Sequence, residues 1–306
     1  MTRALRAGLL LAIAGCVGTN IFAPDGKRSD AAGYIYFASN REGSNYELYR
    51  MPASGGTPMR LTTDADHNDY TPMPSRDGKL VAWVREVAKA GEGVTSTEIW
   101  VMNADGSNPR ALVQDGASNE SPSWLAGDTA LVFASDVRGD WEIYRVSLAA
   151  GATPVNLTNN SYADQSPRVS PDGQRIVFQS NRTLDFEIYT MNVDGSDVRN
   201  MSQDPADDRF PTWSADGREI FWNRYADSFN IWRMNADGSN QRVVLAGSFS
   251  DTSPAVAPDG SAVVFASDRA APSSLFVYSL ADGVVRQLTN LSGWVSGTDL
   301  DPVWVP

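Results

Sequence analysis

Short apolar runs recur along this chain at near-regular intervals, separated by polar stretches rich in turn residues. Runs at 34–39, 80–84, 131–135, 176–180, 220–223 and 263–267 are β-branched or aromatic and too short for helices, so each reads as a buried strand. Most are preceded by a hairpin signal, as in Ser75-Arg76-Asp77-Gly78, Ser170-Pro171-Asp172-Gly173, Ser214-Ala215-Asp216-Gly217 and Ala257-Pro258-Asp259-Gly260, with a degenerate copy at Leu125-Ala126-Gly127-Asp128. Asp-Gly adopts positive φ at low cost, as a tight hairpin between twisted strands requires. A further strand follows each run, at 47–49, 98–100, 142–144, 187–189, 230–232 and 276–278. Turns such as Asn103-Ala104-Asp105-Gly106-Ser107 and Asn192-Val193-Asp194-Gly195-Ser196 then lead to short strands ending at Leu61-Thr62, Leu157-Thr158, Met201-Ser202 and Leu288-Thr289.

The remaining strand of each unit carries an acidic or amide residue three positions before a proline: Asp69 and Pro72, Asn119 and Pro122, Asp164 and Pro167, Asp208 and Pro211, Asp251 and Pro254, Asp299 and Pro302. Four strands in each of six repeats of about 43 residues predict an all-β, six-bladed β-propeller. The sixth copy of the Asp-Pro strand stands at the C-terminus, whereas the first blade begins directly at Tyr34 with a second strand. The C-terminal strand is therefore expected to complete the N-terminal blade and close the ring without a free edge. The segment 21–26 resembles a decayed first strand, but too many residues separate it from Tyr34 for a tight hairpin.

Charge and composition narrow the function. A formal charge of -12 disfavours nucleic acid and anionic lipid surfaces. One cysteine, Cys16, permits no disulfide within the chain, and one histidine, His67, permits no histidine-rich metal centre. Arg3 and Arg6 precede an apolar run over 7–14 that is too brief to span a bilayer, which marks 1–15 as a signal peptide. Its end, Ile13-Ala14-Gly15-Cys16, resembles the lipobox of bacterial lipoproteins. Cys16 is therefore the expected lipidation site, 16–32 a lipidated tether to the membrane, and 33–306 the propeller, exported to the periplasm or outer membrane.

The repeats resemble those of the TolB-type propeller family. Residues 166–196 and 211–239 carry its pattern most fully, with Ser170-Pro171-Asp172-Gly173, Ser180-Asn181-Arg182, Ile188-Tyr189-Thr190-Met191 and Asp194-Gly195-Ser196 in the first of them. The Trp-Asp and Gly-His signature of WD repeats is missing. The resemblance implies a propeller that binds an envelope protein or peptide. TolB also has an N-terminal α/β domain for which the stretch between Cys16 and Tyr34 leaves no room, so only the propeller half carries over. Peptidases and oligogalacturonate lyases share such repeats, but this sequence has no Gly-x-Ser-x-Gly elbow and no histidine cluster.

Asp69, Asn119, Asp164, Asp208, Asp251 and Asp299 are expected near one mouth of the central channel. They either gather a cation such as Ca2+, with Asp164, Asp208 and Asp251 as its ligands, or accept backbone N–H groups at the blade corners. The recurrent Arg41, Arg182, Arg224 and Arg269 are expected to pair with Glu47, Glu142 and Glu187 inside the blades. Residues that break the repeat are the better functional candidates. These are the loop 86–97, the loop 290–298 with Trp294, and the cluster Asp64, Asp66 and His67, which starts like a calcium loop without completing one. Tyr46, Trp141, Phe186 and Phe229 pack between blades or form a stacking platform for a sugar or peptide. The expected function is a non-enzymatic, envelope-anchored binding module. The alternative is a glycan- or ester-active enzyme with a channel cation and Asp164 and Asp208 as acid and base.

Overall fold

The computed structural model describes residues 33–88, 95–291 and 297–306. Cys16 and Trp294 lie outside them. Six four-stranded antiparallel sheets surround a central channel. Blade 1 holds β1 (Tyr34–Ser39), β2 (Glu47–Pro52) and β3 (Met59–Arg60). Blade 2 holds β4 (Asn68–Pro74), β5 (Leu80–Ala88), β6 (Thr95–Asn103) and β7 (Arg110–Val113). Blade 3 holds β8 (Asn119–Trp124), β9 (Ala130–Ser135), β10 (Glu142–Ser147) and β11 (Val155–Asn156). Blade 4 holds β12 (Asp164–Val169), β13 (Arg175–Thr183), β14 (Asp185–Asn192) and β15 (Arg199–Asn200). Blade 5 holds β16 (Asp207–Trp213), β17 (Glu219–Tyr225), β18 (Phe229–Asn235) and β19 (Arg242–Leu245). Blade 6 holds β20 (Asp251–Val256), β21 (Ala262–Ser267), β22 (Ser274–Ser279) and β23 (Val285–Gln287), and the chain ends with β24 (Asp299–Val305).

As the repeat pattern predicts, β24 is the innermost strand of blade 1. It pairs antiparallel with β1 from Tyr34↔Val305 to Ser39↔Asp299, so the two ends of the propeller share one sheet. The core lies between blades. Each of six apolar clusters joins two neighbours, for example Val177 and Ile188 of blade 4 with Ile220 and Trp222 of blade 5, and Ile35 and Phe37 of blade 1 with Val264 and Leu275 of blade 6. Because every blade buries both faces against its neighbours, no blade has a complete core of its own.

The Asp-Pro signature marks a bulge. In every inner strand two residues, the second a proline, lie opposite a single aromatic residue: Thr71-Pro72 opposite Trp83, and Phe210-Pro211 opposite Trp222. The residue before each proline, Thr71, Ser121, Ser166, Phe210, Ser253 or Asp301, has φ between 45° and 54°. Proline has no N–H for a ladder and so belongs at a bulge. The aromatic partners Trp83, Phe133, Phe178, Trp222, Phe265 and Phe37 are fully buried.

The connections divide into two faces. Asp-Gly turns between first and second strands lie on one, here the turn face. The links between second and third strands, and those between blades, lie on the other, the loop face. In the expected long loop at 86–97, residues 86–88 and 95–97 belong to strands, since β5 runs on to Ala88 and β6 starts at Thr95 with pairs as far as Ala88↔Thr95, and 89–94 lie outside the described residues. Longer strands carry that hairpin outward.

Candidate functional site

The six Asp and Asn residues open their inner strands at the loop-face end of the channel, and all are buried. The carboxylates do not form a free acidic ring. Arg85 grips Asp69 through Nε at 2.8 Å and Nη2 at 2.9 Å, and Arg224 grips Asp208 at 2.7 and 2.8 Å. Arg182 reaches both oxygens of Asp164 at 2.7 and 2.8 Å. Arg269 reaches both of Asp251 at 2.6 Å, and Arg41 meets Asp299 at 2.6 Å. Each guanidinium also lies over a pair of blade aromatics, as Arg224 does over Trp222 and Trp232 at 5.6 and 4.4 Å. Charge-assisted pairing and cation–π contact together explain why the arginine recurs.

This corrects the expected arginine–glutamate pairing. Glu187 instead accepts the Ser202 hydroxyl at 2.6 Å and the Asp204 N–H, and Glu142 accepts the Thr158 hydroxyl and the Asn160 N–H. Glu47 does meet an arginine, but it is Arg60 at 2.6 Å and not the recurrent Arg41. Blade 3 supplies an internal control. Its arginine position is Val137, and there the inner-strand residue is neutral Asn119, bonded to the Thr97 carbonyl at 3.0 Å and to Asp115 at 2.9 Å.

Asp164, Asp208 and Asp251, the expected calcium ligands, each remain in a separate arginine clamp. Among the described residues no group of three or more His, Cys, Asp or Glu side chains is arranged to hold a metal ion. Burial pushes the carboxyls of Asp208 and Asp251 above the ordinary range, against the opposing pull of their arginines. Asp64 is likewise absorbed locally. It meets His67 Nδ1 at 3.0 Å and Arg85 Nη1 at 2.9 Å and accepts the Asp66 N–H at 3.0 Å. Burial raises its carboxyl, but those three partners outweigh that and hold it below the ordinary value.

Two features escaped the sequence reading. The first is the loop face of blades 3 to 6, where Val137, Tyr162, Leu184, Tyr225 and Phe249 are all exposed. Leu184, at the tip between β13 and β14, is 92% exposed and has φ 93°. A bulky residue rarely adopts that conformation. On the next blade Tyr225 packs on Phe229 at 5.1 Å and Phe229 on Phe210 at 6.5 Å, and Arg209 lies 4.2 Å over Phe186 of blade 4. Phe186 and Phe229 are thus partly buried yet border the surface. Tyr46 packs against Tyr70 at 5.1 Å with the rings tilted by 41°.

The second is a cavity of about 540 Å³ in the turn-face half of the channel, lined by the bulge residues and by Arg168, Trp124, Trp213 and Trp304. The signal for both features lay in departures from the repeat, at Leu184, Arg168 and Asp301, which only a position-by-position alignment of the six copies exposes.

Fold and site together define a closed six-bladed propeller whose recurrent polar residues serve the scaffold. The chain belongs to the TolB β-propeller family: the TolB β-propeller domain matches residues 149–306, just over half of its length. Among solved structures it is similar to TolB from Acinetobacter baumannii, at 20% identity and a TM-score of 0.77 over 91% of this chain and 68% of that one. It is also similar to hydrazine synthase from Kuenenia stuttgartiensis, at 15% identity and 0.73 over 90% and 46%. A chain of a nidogen/laminin complex matches at 12% identity and 0.71 over 90% and 99%. At these identities the likeness is one of fold. No curated protein matches the chain.

Proposed function

We propose that this protein is an exported, lipid-anchored, non-enzymatic propeller that binds a protein or peptide partner of the cell envelope on its loop face. The observation that carries the reading is Leu184, an apolar side chain held almost wholly in solvent by a backbone conformation that costs energy. Exposed Val137, Tyr162, Tyr225 and Phe249 extend the same face over four consecutive blades. Exposed apolar groups gathered on one face favour association with another macromolecule. Similarity to TolB and to a chain of a nidogen/laminin complex supports binding as the use of this fold. The lipobox-like segment at Cys16 supports export and anchoring.

Crosslinking in the native envelope, followed by identification of the captured species, tests the partner. Leu184→Gly discriminates function from folding, because glycine relieves the strained φ while removing the side chain. The variant should melt at an equal or higher temperature and lose the crosslinked species. Undiminished crosslinking in Leu184→Gly and in Tyr225→Asp would overturn the loop-face reading. Anchoring is checked separately by metabolic labelling with an alkyne fatty acid, expected to vanish in Cys16→Ser. The glycan- or ester-active alternative needs Asp164 and Asp208 free to exchange protons, whereas Arg182 and Arg224 hold both, so the geometry favours binding.

A further inference from the structure

The chamber in the turn-face half of the channel is lined by the same two positions of all six inner strands. The bulge position carries Thr71, Ser121, Ser166, Phe210, Ser253 and Asp301, and the second residue beyond it carries Met73, Ser123, Arg168, Thr212, Ala255 and Val303. Among these twelve residues only Arg168 and Asp301 are charged, and both break the repeat. They do not neutralise each other, for among the described residues no carboxylate lies within ion-pair distance of Arg168. Its side chain makes one hydrogen bond there, from Nη1 to the carbonyl of the adjacent Pro167 at 3.0 Å. A guanidinium has five N–H donors in a planar fork, so most of this one is open to the chamber without a protein acceptor. Burial pushes its pKa down to about 10, which leaves it cationic at neutral pH. Asp301 accepts the Ser253 hydroxyl at 3.2 Å and the Thr71 N–H, and burial pushes its carboxyl up.

Between these poles the lining mixes six hydroxyl side chains, at Thr71, Ser121, Ser123, Ser166, Thr212 and Ser253, with apolar groups. Trp124, Trp213 and Trp304 alternate around the ring with Val169, Val256 and Pro74. Two of the indoles are fixed by N–H bonds to the neighbouring strand, Trp124 to the Met73 carbonyl at 2.8 Å and Trp213 to the Arg168 carbonyl at 3.0 Å. Phe210 adds an aromatic face. A volume of about 540 Å³ lies within the usual span for small-molecule sites, about 300–1,000 Å³.

We propose that this chamber binds a small organic carboxylate with an aromatic or aliphatic body and a hydroxyl or amine donor. The carboxylate forks onto Arg168, the body lies against Phe210 and the indole edges, and the donor bonds to Asp301. The site opens between the Asp-Gly turns, on the face opposite the loop face, and does not depend on the partner proposed there.

Calorimetric titration of the full chain with 3-(4-hydroxyphenyl)propionate, whose hydroxyl lies at the far end of the body from its carboxylate, 3-phenylpropionate and 3-phenylpropionamide tests this, with tryptophan fluorescence as a second readout. The hydroxy acid should bind most tightly, and the neutral amide at least about tenfold more weakly than 3-phenylpropionate, since a bidentate charged contact is lost. Arg168→Met should weaken both acids at least about tenfold and leave the amide unchanged. Asp301→Ala should abolish the advantage of the hydroxy acid over 3-phenylpropionate. Equal binding of acid and amide by the unaltered protein would overturn the proposal whatever the variants do. So would undetectable binding of all three compounds, or full affinity for the acids in a folded Arg168→Met.

Discussion

Arg224 and Asp208 form a buried, two-pronged ion pair, with Nε on Oδ1 at 2.7 Å and Nη2 on Oδ2 at 2.8 Å, beneath the ring of Trp232. Removing Arg224 strands the Asp208 charge where water cannot reach it, and removing the Asp208 charge leaves Arg224 only the partly exposed Asp204 at 3.0 Å. Arg224→Val or Asp208→Asn alone should therefore destabilise the fold by about 3–5 kcal/mol. Blade 3 shows how the same corner is built without an arginine–aspartate pair, with Val137 in the arginine position and Asn119 donating to Asp115 at 2.9 Å. Asp208→Asn with Arg224→Val should accordingly recover a substantial part of the loss. A urea-denaturation double-mutant cycle measures it, and strict additivity of the two losses would contradict the coupling.

A second repeated device can be tested in the same way. Ser202 Oγ accepts the Ile188 N–H at 2.9 Å and donates to Glu187 at 2.6 Å, joining the fourth strand of blade 4 to the third where the ladder ends. Ser202→Ala leaves both groups without their partner and should cost about 1–3 kcal/mol. Threonine fills the matching site at Thr62, Thr158 and Thr289, each accepting an equivalent backbone N–H. Ser202→Thr should thus stay close to the parent in denaturation midpoint. A large loss with threonine would show that the site is read by volume and not by the hydroxyl.

What the sequence disclosed follows the physics of repetition. Asp-Gly at a fixed distance from an apolar run has one structural use, so the turns, strands and closure by β24 were all legible. The Asp-Pro spacing was equally visible, yet its meaning was not. The proline marks a bulge, and the aspartate meets an arginine from the next strand, as Asp164 meets Arg182. That pairing depends on register across a hairpin, and glutamates such as Glu187 offered an equally good partner along the chain. Leu184 and Arg168 were hidden for another reason. Each is an ordinary residue type whose significance comes from where the fold puts it, one in solvent and one inside the channel.

Closure rests on the contact between β1 and β24, and Gly33 is its tightest point. With φ at 101°, a Cβ on Gly33 would lie 1.9 Å from the carbonyl oxygen of Val305, an overlap that only backbone movement can relieve. Gly33→Ala should lower the melting temperature sharply by parting the strands where the ring closes. Deleting residues 299–306 goes further, since it exposes the edge of β1 and removes the carboxylate that holds Arg41. The truncated protein should unfold or self-associate through that edge. Sedimentation and melting experiments decide the matter, and a monomer of undiminished stability would show that β24 is dispensable.

Asp301 offers a pH test whose sign follows from its surroundings. Burial raises its carboxyl in the folded state, only partly opposed by the Ser253 hydroxyl, the cation of Arg168 across the chamber and the Thr71 N–H. Glu120, also raised by burial and by the charges of Asp136 and Asp301, adds no compensation. The folded protein therefore holds the Asp301 proton more tightly than the unfolded chain. Its contribution to stability is complete below the ordinary carboxyl range and is lost as pH rises through the folded value. The amide introduced by Asp301→Asn mimics the protonated acid without ionising, so the variant should melt near the parent temperature at about pH 4 and above it at about pH 8. Arg168→Met removes the opposing cation and should penalise the parent carboxylate most at high pH, giving a melting deficit that widens from acid to neutral conditions. Carboxyls common to both proteins, such as Asp208 and Asp251, cancel in the comparison. A difference between parent and Asp301→Asn that stays constant from acid to neutral pH would show that Asp301 ionises as readily in the channel as in the unfolded chain.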